Sequence, residues 1–80
     1  MPSIPSALEI TQDIVRMDTR NPPGHEVECA NYLGDLLSDA GLEVNAYEFA
    51  TNRTSLVARI KGRGVKPPIC FGGHIDVVPL

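Results

Sequence analysis

Ile69-Cys70-Phe71-Gly72-Gly73-His74-Ile75-Asp76-Val77-Val78-Pro79 decides how this 80-residue chain is read. Residues 69–71 are apolar on both faces, the pattern of an inner strand covered by helices on either side. Gly72 and Gly73 remove side chains where something must approach the backbone closely. Pro79 stops the extended run. A two-residue period puts His74 and Asp76 on one face. They lie just past the carboxyl end of the buried strand, where open α/β sheets place their ligands.

Upstream, two further strands are expected. Residues 44–49 are β-rich, and residues 56–61 alternate Leu56, Ala58 and Ile60 against Val57, Arg59 and Lys61. Thr51-Asn52-Arg53-Thr54 supplies a turn between them. Gly62-Arg63-Gly64 and Pro67-Pro68 separate the second strand from the third. A helix is expected over residues 26–40, where Cys29, Ala30, Leu33, Leu36, Leu37 and Ala40 form one stripe at helical spacing. Glu26 and Glu28 fall in its first turn, where the helix dipole favours negative charge. Gly41 suits the left-handed position past its end, with Leu42 folding back onto Leu37. Residues 6–17 form an earlier helix, opened by Ser6 and Glu9 as a capping box. Its apolar side carries Ala7, Leu8, Ile10, Ile14, Val15 and Met17. It stops before Asn21-Pro22-Pro23-Gly24, whose prolines cannot continue it. The fold class is therefore α/β, with two helices and three strands forming part of a layered unit. Its central strand requires neighbours and a second helical layer.

Composition narrows the partners. Seven Lys and Arg against ten Asp and Glu give a net charge of −3, with no basic run, so a nucleic-acid face is excluded. No apolar segment approaches the ~20 residues of a membrane span, and the first 30 residues lack the apolar core of a secretory signal. Cys29 and Cys70 have no paired spacing and read as small buried hydrophobes of a reducing compartment, which points to the cytoplasm. A domain of this size buries roughly 60% of the surface its unfolded chain exposes. No disulfide or structural metal is evident to support it.

A neutral imidazole is a good zinc ligand, and its second nitrogen is usually held by a carboxylate or carbonyl that fixes the tautomer. Asp76 is a candidate for that orienting role beside His74. The spacing alone leaves two alternatives, a metal-site pair or a hydrogen-bonded histidine at a strand end beside a solvated aspartate. A zinc site needs three or four ligands. The remaining histidine, His25, sits in a Pro-Gly loop and suits a surface position or the neighbourhood of the helix start.

Gly73-His74-Ile75-Asp76-Val77-Val78-Pro79 resembles the first metal-site motif of the co-catalytic zinc metallopeptidases. That family includes acetylornithine deacetylase, succinyl-diaminopimelate desuccinylase, aminoacylase and carboxypeptidase G. Asn21-Pro22-Pro23-Gly24, Tyr32-Leu33, Ala40-Gly41-Leu42-Glu43-Val44 and Asn52-Arg53-Thr54-Ser55-Leu56-Val57-Ala58-Arg59 are similar to the same family, in order along nearly the whole chain. The resemblance implies that His74 is a ligand of one zinc and that Asp76 is the catalytic aspartate, acting behind the histidine rather than on the substrate. It implies two Zn2+ per site, with Co2+ as an alternative metal. It also implies a bridging carboxylate, a Glu general base beside a Glu ligand, a further acidic ligand and a final His, all expected beyond residue 80. Residues 1–80 would then be the incomplete N-terminal portion of a layered α/β zinc-peptidase catalytic domain, inactive alone. The rest of that domain and a smaller domain that forms dimers and closes over the substrate would lie elsewhere. The parent would cleave the amide bond of an N-acyl amino acid or small peptide. Two rival classes stand beside this expectation. One is a non-catalytic binding or regulatory module that keeps the fold; the presence of His74 and Asp76 weighs against it. The other is a small structural domain in which Gly-Gly-His is only a tight strand end; the two-sided strand 69–71 weighs against that.

Overall fold

Ser6 opens the first helix by exchanging hydrogen bonds with Glu9. Its hydroxyl accepts from the Glu9 backbone N–H at 3.2 Å, and the Glu9 carboxylate accepts from the Ser6 N–H at 3.1 Å. The computed structural model describes residues 5–80, and α1 spans Ala7–Val15. It ends two residues short of the expected 17, where the Arg16 and Met17 N–H groups bond back to Asp13 and Ile14 carbonyls. The apolar stripe of α1 is largely uncovered: Leu8 is 68% and Val15 76% exposed, and no residue of the helix is buried. α1 is tied to the next helix by a polar link, the Tyr32 hydroxyl donating to Asp13 Oδ2 at 2.6 Å. That carboxylate stabilises the protonated phenol and pushes its pKa up to about 12.

The second helix, α2, spans Val27–Asp39, one residue inside each expected bound. Its end follows from Gly41 in the left-handed region at φ 97°. The Gly41 N–H bonds to Ser38 O and the Leu42 N–H to Leu37 O, each at 3.0 Å, which are the two bonds of a Schellman end. Strands β1 (Glu43–Ala50) and β2 (Arg53–Arg59) pair antiparallel, with Val44 opposite Ala58 and Ala46 opposite Leu56. These four residues share the face that α2 covers. Cys29 and Ala30 are each 1% exposed, and Gly34 brings the helix onto the sheet. A Cβ at Gly34 would stand 3.3 Å from Leu56 Cδ1 and 3.5 Å from Val44 Cγ1. Gly34 is thus part of the packing stripe, although it has no side chain to mark it. The hairpin turn is tighter than the expected 51–54. Asn52 takes a positive φ of 61°, and Arg53 and Thr54 already belong to β2.

Residues 69–71 do not form the expected inner strand. Among the described residues the sheet has two strands, and Ile69 and Phe71 are 79% and 88% exposed. An apolar stretch becomes a strand only where another strand offers its ladder, and none does so here. Cys70, expected to be buried, is exposed for the same reason, whereas Cys29 is buried. The later part of the stretch is held by a parallel bridge between Arg20 and Val77. Val77 O accepts from the Asn21 N–H at 2.7 Å, and the Val77 N–H donates to Thr19 O at 3.0 Å. No helix among the described residues is long and apolar enough to cross a membrane. With Cys29 and Ala30 as the buried apolar residues among those described, and Ile69, Phe71 and Val78 open to water, the isolated 80-residue chain is expected to self-associate and to lack a cooperative melt. Sedimentation velocity and thermal circular dichroism check this; a monomer with a sharp transition would contradict it.

Candidate metal centre at His74 and Asp76

The Val77 bridge sets the residues just before it against the loop that joins the two helices. That loop is braced at its start. Asp18 takes both Nε and Nη2 of Arg20 at 2.8 Å, and this fork holds its carboxyl well below the usual range. The next residue, Asn21, donates from Nδ2 to Asp76 Oδ2 at 3.1 Å. The chain then reverses, with the Gly24 N–H bonding to Arg20 O at 2.8 Å and Gly24 at φ 89°. A Cβ there would run into Arg53 Nε and come within 2.7 Å of its Cδ, so the position needs glycine for both reasons. Glu26 follows at the N-terminus of α2, 3% exposed. Arg53 Nε donates to it at 3.2 Å to Oε1 and 3.1 Å to Oε2. The Arg53 guanidinium also lies over the Phe49 ring, 5.2 Å from its centroid.

His74 stands outside this packed layer, its side chain 84% exposed. Its Nδ1 lies 2.9 Å from Asp76 Oδ1 and 2.9 Å from the Asp76 backbone O. Both partners are acceptors, so Nδ1 carries a proton, and in the neutral imidazole the lone pair is then on Nε2. Asp76 is less exposed, at 28%, and its pKa is lowered first by the Asn21 hydrogen bond and then by the one from His74. Arg53 Nη2 is 3.7 Å from Asp76 Oδ2, an ion-pair distance longer than a hydrogen bond. The pair borders an open cleft whose other walls include Leu33, Phe49 and Leu56.

His74 and Asp76 are therefore brought into contact. Among the described residues no group of three His, Cys, Asp or Glu side chains converges to hold a metal ion. The donor set fits one ligand of a metal centre, the Nε2 of His74, and no more. His25 is half-buried and takes no part in the hydrogen bonds around the pair. Asn21 and Arg53, which reach Asp76, and Glu26, which holds Arg53, escape a reading by sequence pattern. Glu26, expected to serve the dipole of α2, instead sits at the N-cap without a capping bond and turns its carboxylate to Arg53. Its partner is 27 residues away in sequence, a spacing with no local signature.

Comparison with known proteins defines the class first. These residues belong, as a segment, to the peptidase family that contains the succinyl-diaminopimelate desuccinylases, hydrolytic enzymes by name. The chain is 35% identical over 81 residues to succinyl-diaminopimelate desuccinylase of Rhodopseudomonas palustris strain TIE-1, covering 99% of this chain and 20% of that protein. It is 40% identical over 77 residues to the enzyme of the same name from Nitrobacter hamburgensis, covering 91% and 19%. A probable succinyl-diaminopimelate desuccinylase of Staphylococcus epidermidis is 38% identical over 71 residues, covering 89% and 16%. The chain thus spans about a fifth of the length of the curated relatives it matches. No family model and no solved structure matches.

Gly24→Ala is expected to destabilise the full-length protein by at least the ~1–2 kcal/mol that a left-handed backbone costs a residue with a Cβ. Displacement of Arg53 from buried Glu26 adds to that loss. Urea unfolding checks this, and an unchanged midpoint would contradict the packing described for Arg53.

Proposed function

We propose that residues 1–80 are the N-terminal portion of the catalytic domain of a metal-dependent hydrolase. The reaction is cleavage of the amide bond in an N-acyl amino acid or small peptide, and the names of the relatives favour an N-succinyl group. The observation that carries this is the state of His74. With both acceptors at Nδ1, the neutral imidazole keeps its lone pair on Nε2, on a side chain 84% exposed, in a chain related throughout its length to desuccinylases.

In this reading His74 Nε2 binds one metal of a dinuclear zinc centre in which Co2+ can substitute. The chemistry expected from such a centre is polarisation of the scissile carbonyl and activation of a water molecule. Asp76 acts behind the imidazole: it keeps the proton on Nδ1 and, by its charge, makes Nε2 a stronger donor. Arg53 and Asn21 face the other oxygen of Asp76 and leave Oδ1 to the histidine. The remaining ligands and the general base are proposed to come from outside residues 1–80, as is a smaller domain for dimer formation. The working compartment is proposed to be the cytoplasm.

In the full-length protein, His74→Ala is expected to lower bound zinc and to abolish hydrolysis of N-succinyl and N-acetyl amino acids. Metal analysis beside a turnover assay checks it. Two ions retained in a fully active variant would remove His74 from the centre. Asp76→Asn keeps the size but not the charge, and is expected to cost about 10–100-fold in metal affinity or turnover. Asp39→Ala, at the exposed end of α2, serves as the control and should leave both quantities unchanged. Wild-type turnover in Asp76→Asn would end the case for the pair.

A further inference from the structure

We propose that Asn21 and Arg53 are positioning residues, which clamp the Oδ2 edge of Asp76 so that Oδ1 stays on His74 Nδ1. The inference rests on the proposed role of His74 for its metal consequence, but not for the clamp itself. Nothing in the two-residue spacing of His74 and Asp76 fixes the carboxylate. The backbone carbonyl of Asp76 is as close to Nδ1 as Oδ1 is, at 2.9 Å. The carbonyl can keep Nδ1 protonated by itself, so the Asp76 side chain is free to rotate away unless something else retains it.

Two side chains do so from opposite sides of the sequence. Asn21 donates to Oδ2 at 3.1 Å, and its own backbone is pinned by its N–H on Val77 O at 2.7 Å. Arg53 adds its charge at 3.7 Å from Oδ2. It is unable to drift, because its Nε is committed to Glu26, whose side chain is only 4% exposed. A buried carboxylate holds its counter-charge far more firmly than a solvated one. Gly24 supplies the space through which the Arg53 stem passes. The loop 21–26 and the first residue of β2 thus form one device around a single carboxylate oxygen.

The test uses the full-length protein labelled with 15N-histidine and stripped of metal. The readout is the His74 Nδ1 proton resonance, which lies further downfield when the acceptor is a charged carboxylate. Asn21→Ala is expected to move it upfield towards its position in Asp76→Ala, and to weaken zinc binding by calorimetry by about tenfold, the lower end for residues behind a ligand. Arg53→Lys retains a charge for Glu26 but not a fork able to reach two carboxylates, and should shift the resonance in the same direction by less. A wild-type resonance in both variants overturns the clamp. Failure of the metal-centre reading shows differently: His74→Ala would hold zinc as the wild type does, while the resonance shifts in Asn21→Ala and Arg53→Lys remained.

Discussion

A carboxylate with 4% of its side chain exposed survives inside a protein only if a cation is brought to it, and around Glu26 much of the remaining geometry follows from that demand. Arg53 meets Glu26 from the first position of β2, so the hairpin must turn within Thr51 and Asn52, the latter with a positive φ. The same turn delivers Asn52 O to the Val27 N–H at 3.1 Å, which satisfies one of the free donors at the start of α2. Gly24 lacks a Cβ where Arg53 passes. One ion pair thereby sets the start of α2, the tip of the hairpin and the path of the loop between the helices. What is left of the Arg53 charge faces Asp76.

The parts of this arrangement that were legible in the sequence are those decided within a few residues. Ser6 with Glu9, and Gly41 with Leu42, are complete signals in themselves, and both helix ends form as their local chemistry requires. The start of β2 is less legible. Arg53 and Thr54 are polar and follow Asn52, so they look like turn; yet Thr54 is 6% exposed, opposite Glu48 in the ladder. The stretch 69–71 shows the limit from the other side. Two-sided apolarity states what Ile69, Cys70 and Phe71 require, not whether a strand stands ready to pair with them. Here they remain exposed.

The site divides along the same line. His74 and Asp76 are two residues apart, and a pleated backbone alone sets them on one side. Asn21 and Arg53 reach Asp76 across 55 and 23 positions, since 76 − 21 = 55 and 76 − 53 = 23. No periodicity couples residues at such distances. The motif Asn21-Pro22-Pro23-Gly24 was visible as a break between helices, but its polar first residue and its last glycine acquire meaning only against Asp76 and Arg53.

This division separates two properties of the imidazole. Which nitrogen carries the proton is settled locally, because the Asp76 carbonyl and carboxylate are both acceptors within 2.9 Å of Nδ1. How strongly Nε2 can donate depends on the charge behind the ring, which only the carboxylate supplies and only while its rotation is checked. In the proposed metal role of His74, the local motif specifies the donor atom, and the long-range contacts of Asn21 and Arg53 bear on its strength. A histidine with 84% of its side chain exposed has little packing to orient it. For such a residue, the hydrogen bonds behind the ring are the main constraint on where its lone pair points.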